Sequence, residues 1–593
     1  MARSSDTIVQ RRRLGYLSGT LVVFAVLLFV RLVDLQVVQH GAYAKQASSE
    51  QSRKFEIPAT RGELYVQDGD GTISPIVLNQ TLQLLYADPR YVGNKAAAAQ
   101  KLAAVTGGSA SAYLAALDNG IDYSVLDTKL PANIADKVKA LNMPGVGLAD
   151  QDYRAYPEGN LAAQVLGFVN AAGVGQYGIE GYYDKQLAGT PGKLAAKTDA
   201  FGIPIATADN VDQPAVNGTS YVLTLDRNIQ AMAEQELATQ VQAVKAKSGS
   251  VVIMDPSNGD VLAMANYPTY DPSKYNLVSD YSVFQNQTVS NAFEPGSGMK
   301  VFDMATGLDQ GKVTPNTTYD DPGCYVIDTD KVCDAEGDKP GNNKTMTVVL
   351  RDSLNTGAMF VLRMLSGSTT SFTLAGKQLL YNYYTRHFGF GSLTGIEQAG
   401  EAAGQVNQPS NAAGNNVNYA NMTFGQGITV TMIQMVQAMA AIANGGKMYQ
   451  PQLVSAIMNA DGSTTPVAPK VVKNHIMSPT AIANLNQMLQ VVVQHGSGYI
   501  AADMNPGYSI AGKTGTAEIA NPNGGGYLVG ANIGSFIGFA PADNPKFVIM
   551  VRLNDPSVNC DSAECGYAEY TTVPLFGEIC KWLFKYYGIP PGT

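Results

Sequence analysis

The stretch Phe293-Glu294-Pro295-Gly296-Ser297-Gly298-Met299-Lys300 decides how the rest of the chain reads. Proline and glycine stop the preceding segment, and Met299, Phe302, Met304 and Leu308 then follow at helical spacing. Ser297 therefore falls at a helix N-terminus, with Lys300 one turn on and on the same face. A serine hydroxyl becomes a nucleophile only with a base in hydrogen-bond reach. Lysine can be that base when its charge is disfavoured, and Met299, Val301 and Phe302 are apolar neighbours suited to desolvate it. The positive end of the helix dipole favours an oxyanion at the same place. A serine and a lysine three apart occur by chance in most long chains, so the weight falls on what lies downstream.

Two later stretches complement the first. Ser353-Leu354-Asn355 is followed by Thr356-Gly357. Residues two apart do not share a helix face, so Ser353 and Asn355 act together only from a loop between helices. There the hydroxyl can relay a proton and the amide can donate to a substrate carbonyl. In Lys513-Thr514-Gly515-Thr516, a strand would put Thr514 and Thr516 on one face and Lys513 on the other. Gly515 lets a ligand backbone come close, and two hydroxyls beside a cation suit a carboxylate. Residues 507–514 also fit the P-loop pattern, but a P-loop needs a helix directly after it. The sequel, which runs into Asn521-Pro522-Asn523-Gly524, is no helix, so a nucleotide site is set aside. A G-x-S-x-G hydrolase elbow is set aside too, because Pro295 stands where its first glycine belongs.

The 593 residues are 45% hydrophobic and only 15% charged, with a net charge of −9, which argues against a nucleic-acid partner. Four scattered histidines and no H-E-x-x-H or Cys/His spacing argue against a dedicated metal site, and no cofactor is implied. Residues 14–30 are uncharged and mostly apolar after Arg11, Arg12 and Arg13, long enough to cross a bilayer at about 1.5 Å per residue. Positive-inside bias puts the N-terminus in the cytoplasm and the body outside the cell membrane, as a single-pass protein. A cleaved signal peptide fits less well, since Arg31 and Asp34 separate the apolar run from Ala42-Tyr43-Ala44. Cys324 with Cys333, and Cys560 with Cys565, flank short polar loops, either as two local disulfides or as reduced thiols. Cys580, in an apolar helical tail, reads as buried.

Along the chain, residues 32–51 continue the membrane helix, and residues 64–71 suggest strands and a hairpin. Residues 95–145 look helical and alanine-rich. Residues 249–265 form a hairpin around Asn258-Gly259, and two more strands lie at 533–540 and 546–553, with a long helical stretch between the pairs. Strands first and last predict one sheet built from both ends and packed by a helical subdomain. The expected division is a tail (1–13), a transmembrane helix (14–33), an extracytoplasmic pedestal (34–215) and a catalytic domain (216–593).

S-x-x-K, S-x-N and K-T-G in this order resemble the penicillin-binding proteins and class A β-lactamases. Arg61-Gly62, Arg154, Tyr156-Pro157, Gly178, Glu180, Asp255-Pro256, Glu294-Pro295-Gly296, Phe424-Gly425-Gln426-Gly427 and Asn444-Gly445-Gly446 narrow the resemblance to class B penicillin-binding proteins, and of the septal and elongation types overall size and the compact pedestal lean to the cell-division type. That likeness implies an α+β serine transpeptidase fold on an elongated α/β, dimerisation-type pedestal. It implies a peptidoglycan D,D-transpeptidase that joins stem peptides through an acyl-enzyme, releases D-Ala and is acylated by β-lactams. Ser297 would be the nucleophile and Lys300 its base, with Ser353 and Asn355 relaying protons and orienting substrate. Lys513, Thr514 and Thr516 would hold the terminal carboxylate, with Gly515 binding substrate by letting its backbone approach, and the backbone N–H groups of Ser297 and Thr516 would form the oxyanion hole. A membrane glycan polymerase of the SEDS type and divisome proteins would be partners. Leu354 departs from the frequent Ser or Asp, and the loop between Cys324 and Cys333 is an addition expected to be solvent-facing. Rival readings are a D,D-carboxypeptidase, a β-lactam sensor or a non-catalytic division scaffold. A sensor is disfavoured by the short segment ahead of the membrane helix, and a scaffold by the presence of both Ser297 and Lys300.

Overall fold

The computed structural model describes residues 5–197, 211–335, 338–520, 524, 526–557 and 566–592. Cys560 and Cys565 lie outside the described residues. The chain divides into two units, residues 1–61 with 188–218, and residues 62–187 with 219–593. In the first, a helix Ser5–Val33 passes through a wide turn, Asp34–Val38, into a second helix, His40–Gln51. Residues 10–38 are long and apolar enough to cross a membrane. An antiparallel sheet of Ser52–Ile57, Gly192–Lys197 and Val211–Gln213 completes this unit.

The second unit carries the predicted two-ended sheet. Its order is Val261–Tyr267, Ser248–Met254, Phe547–Asn554, Tyr527–Ala540 and Ala511–Ala520, antiparallel throughout. Val251, Ile253, Ile549 and Val551 alternate with Val252, Met254, Val548 and Met550, so the sheet is apolar on both faces. One face packs on the helices Arg227–Ala243 and Ala568–Tyr586, which bury Cys580 as expected. The other packs on the helical subdomain, including Lys300–Asp309, Met432–Ala443 and Pro479–His495. Ala511–Ala520 is left as an edge strand at the site.

A second sheet runs Thr464–Pro466, Val454–Met458, Ser220–Leu223, Leu64–Gln67, Ile73–Ala87 and Ser124–Leu130, with Val146–Ala155 also paired to Ile73–Ala87. The alanine-rich region is therefore not all helix. Ser124–Leu130 is a strand between the helices Ala110–Leu117 and Ala132–Ala140. Its ends Ser124 and Leu130 are buried, and sheet pairing overrides the helical texture of its flanks. Beside this sheet, Arg154 donates through Nε to Glu180 at 2.8 Å and through Nη1 to Asn79 at 2.8 Å. With side chains 4% and 0% exposed, loss of either partner of that pair would strand a buried charge.

Candidate active site

The turn Gly296–Met299 is a 3-10 turn that leads into the helix Lys300–Asp309, so Ser297 stands just ahead of the helix and Lys300 opens it. One strand-like pairing and one further backbone bond fix its approach: Phe293 exchanges both backbone bonds with Val430, and Gly296 N–H donates to Gly425 O at 3.1 Å. Gly296 has φ +55°, and a Cβ there would lie 2.3 Å from Thr516 O. A Cβ on Gly515 would lie 2.6 Å from Pro295 O and 2.5 Å from Ser535 Oγ. The Ser297 turn and the strand Ala511–Ala520 thus touch backbone to backbone, which only glycine permits. The closeness at Gly515 serves the protein's own turn, not only a ligand. Glu294, its pKa raised by burial, accepts from Gly427 N–H at 2.7 Å and from Tyr527 O–H at 3.0 Å.

Ser353 lies where the sequence predicts, between the helices Met346–Arg351 and Asn355–Leu365, while Asn355 is not in the loop but opens the second helix. Ser353 adopts φ +60°, a left-handed conformation that a serine holds only where its surroundings enforce it. Its hydroxyl receives two lysines. Lys300 Nζ lies 3.2 Å from Ser353 Oγ and also donates to the Ser353 carbonyl, while Lys513 Nζ is 3.0 Å from the same hydroxyl. With both lone pairs accepting, the Ser353 proton is left to be donated.

Both lysines are buried, 1% and 0% exposed, whereas Ser297 is partly open. Burial pushes the Lys300 pKa down to about 7, against the opposing pull of Asp334, Asp338 and Asp303. Burial, and then the charge of Lys300, take Lys513 well below the ordinary lysine range. Asp303, one turn beyond Lys300, is fully buried, and neither carboxyl oxygen has a hydrogen-bond partner among the described residues. Burial raises its pKa well above the carboxylate range, against the opposing pull of Lys300.

Lys513 also donates to Thr514 Oγ1 at 3.1 Å and Thr514 O at 3.2 Å. Strand alternation predicts Lys513 and Thr514 on opposite faces, but on an edge strand the long lysine stem folds round to meet its neighbour. Thr514 is buried and Thr516 exposed. Sequence reasoning missed Ser497, whose Oγ is 2.7 Å from Thr514 Oγ1. Its only signal is the turn-like Gly496-Ser497-Gly498 after the helix Pro479–His495. It also missed what holds Asn355. The amide Nδ2 donates to the Cys333 carbonyl at 2.8 Å, and Cys333 is joined to Cys324 in a disulfide. The added loop is therefore docked on the second motif, where the sequence reading leaves it in solvent.

Residues 249–578 match the penicillin-binding protein transpeptidase domain and residues 56–223 the penicillin-binding protein dimerisation domain. Penicillin-binding protein PbpB of Mycobacterium tuberculosis is 34% identical over 494 residues, 81% of this chain and 69% of that protein. Peptidoglycan D,D-transpeptidase FtsI of Escherichia coli is 28% identical, covering 98% of this chain and 92% of its own. The crystal structure of penicillin-binding protein 3 from M. tuberculosis complexed with aztreonam has a TM-score of 0.67 at 27% identity, covering 91% of this chain and 98% of that one. The ampicillin complex gives the same TM-score of 0.67 at 28% identity. A nucleophile turn, a lysine-bracketed serine and a K-T-G edge strand thus sit within a chain matched along nearly its whole length, and the chain belongs to the class B penicillin-binding proteins.

Proposed function

We propose that this chain is a peptidoglycan D,D-transpeptidase of septal wall synthesis, with Ser297 as its acylating nucleophile. The observation that carries the reading is Ser353 Oγ held between two buried lysine amines at 3.2 and 3.0 Å. Ser297 Oγ attacks the penultimate D-Ala carbonyl of a stem peptide, and its proton passes to Lys300. Backbone N–H groups of Ser297 and Thr516 receive the oxyanion. The proton travels through Ser353 to the departing D-Ala amine, and an amine of a neighbouring stem then takes the acyl group. Asn355 orients the substrate. Lys513, Thr514 and Thr516 receive the terminal carboxylate beside Gly515, and that carboxylate favours the protonated form of Lys513, which burial alone disfavours. A β-lactam mimics the substrate and stops at the acyl-enzyme. The aztreonam- and ampicillin-complexed relatives support that step, and relatives named FtsI, aligned along 98% of the chain, support the division setting.

The same reading keeps the division into tail (1–13), membrane helix (14–33), pedestal (34–215) and catalytic domain (216–593). The N-terminus is cytoplasmic and the catalytic body extracytoplasmic. Glycan strands come from a SEDS-type membrane polymerase, and other divisome proteins are neighbours. The test is acylation of the purified full-length chain by a labelled penicillin, beside Ser297→Ala, with release of the adduct followed in time. A stable adduct on wild type and none on Ser297→Ala is the expected result. Adding a stem peptide and an acceptor amine then separates cross-linking from D-Ala release to water, the carboxypeptidase outcome. A wild-type chain that takes no label would end the assignment and leave the scaffold.

A further inference from the structure

The helix Asn355–Leu365 starts without a cap of its own. Leu354, at the capping position, has no side-chain oxygen to offer the first N–H groups, and a helix start needs such acceptors. The acceptor comes instead from a distant strand. Asp334 Oδ1 receives the Thr356 N–H at 2.8 Å, and Asp334 Oδ2 lies 2.8 Å from Thr356 Oγ1. One residue earlier, the Cys333 carbonyl takes the Asn355 amide at 2.8 Å. Consecutive residues of one strand end thus hold consecutive residues of the second motif.

That strand end is itself held. The strands Cys324–Ile327 and Asp330–Cys333 pair with Cys324 opposite Cys333, and the disulfide closes this open end. Asp334 N–H donates to Gly323 O at 2.9 Å across the same end. The rest of the hairpin grips the helix it caps: the Arg363 guanidinium lies 3.7 Å from the Tyr325 ring centre. Ile327 packs with Met359, Ala420 and Phe424, and Asp328 accepts from Asn416 Nδ2 at 3.1 Å. Asp321, paired to Lys344 at 2.7 Å, meets Thr356 Oγ1 from the other side at 2.9 Å.

We infer that the disulfide-closed hairpin is the positioning element of the second motif, with Asp334 a positioning residue that caps the Asn355 helix and the Cys333 carbonyl setting the Asn355 amide for acylation. This rests on the proposed function. Asp334→Asn keeps the size of the side chain and one acceptor oxygen for the Thr356 N–H. Asp334→Ala removes the acceptor.

The test uses the full-length chain in detergent. The first-order acylation constant at saturating labelled penicillin and the apparent affinity are measured separately for wild type, Asp334→Ala, Asp334→Asn and the double variant Cys324→Ala/Cys333→Ala, each with its thermal midpoint. Displacement of a reacting group by a fraction of an ångström is felt in the chemical step, so Asp334→Ala and the double variant should lose about tenfold in the acylation constant, with affinity within about twofold. Asp334→Asn should recover to within about threefold of wild type, as retention of the cap acceptor requires. The inference is overturned if Asp334→Ala and the double variant acylate like wild type. It is equally overturned if all three variants fall alike in rate, affinity and midpoint, which is the behaviour of general unfolding. A wild-type chain that takes no label would instead indict the function itself.

Discussion

Around Ser297 the chain is fixed by backbone meeting backbone, and around Ser353 and Asn355 by hydrogen bonds from two lysines and from the end of one hairpin. Gly296 and Gly515 bring the nucleophile turn against the edge strand with no room for a methyl group. Ser353 and Asn355 answer to two lysines on one side and to Cys333 and Asp334 on the other. The first arrangement has no adjustable part, because strand and turn belong to the two packed layers of the core. The second depends on a few hydrogen bonds, which single substitutions can remove without opening that core. A nucleophile needs a fixed position, while a proton relay needs only its distances kept.

Lys300→Met tests the point where the two regions meet, and should cost the largest factor, about 10²–10⁴ in acylation rate, as expected for a positioned base. In the wild type, the burial that lowers Lys300 to about 7 sets the pH dependence. The neutral amine is the base, so the rate should rise with pH below about 7 and level off above it, followed as acylation constant against pH. Gly296→Ala should break the backbone-held side. It forces a methyl group to 2.3 Å from Thr516 O at a positive φ, so acylation and thermal midpoint should fall together. The strain expected is about 1–3 kcal/mol. Arg363→Ala loosens the hairpin away from its cap and should slow acylation about threefold with the midpoint nearly kept, sharpening the contrast with Gly296→Ala. Cys580→Ala, on the face of the sheet away from the site, should leave the acylation constant unchanged while lowering the midpoint by a few degrees. A changed rate there would mean that the Ala568–Tyr586 helix reaches the site.

What was legible in the sequence was local. Ser297 and Lys300 declare themselves by one helical turn, and Gly249 to Met254 and residues 546–553 declare themselves by apolar runs that fit a sheet covered on both faces. Family likeness tied the three motifs together before any distance was known. The remainder depends on contacts between segments far apart in sequence. Nothing in Leu354 announces that its helix is capped by Asp334, and nothing in Ser497 points to Thr514. Ser124–Leu130 hid between alanine-rich helices because its strand character comes from its partner, Ile73–Ala87. Lys513 keeps its place in the strand register, but that its amine reaches round to Thr514 Oγ1 is not written in the pleat.

The middle of the catalytic sheet is its latest-made strand. Phe547–Asn554 lies between Ser248–Met254 and Tyr527–Ala540, so the N-terminal hairpin of the sheet has no neighbour until some three hundred further residues exist. Closing so long a loop is slow and offers no reward by halves. As the chain emerges from its N-terminus, the apolar edge of Ser248–Met254 must therefore wait uncovered. Its protection against mispairing in that interval becomes a task for whatever escorts the nascent chain, and a chain stopped between residues 267 and 547 keeps that edge without its neighbour.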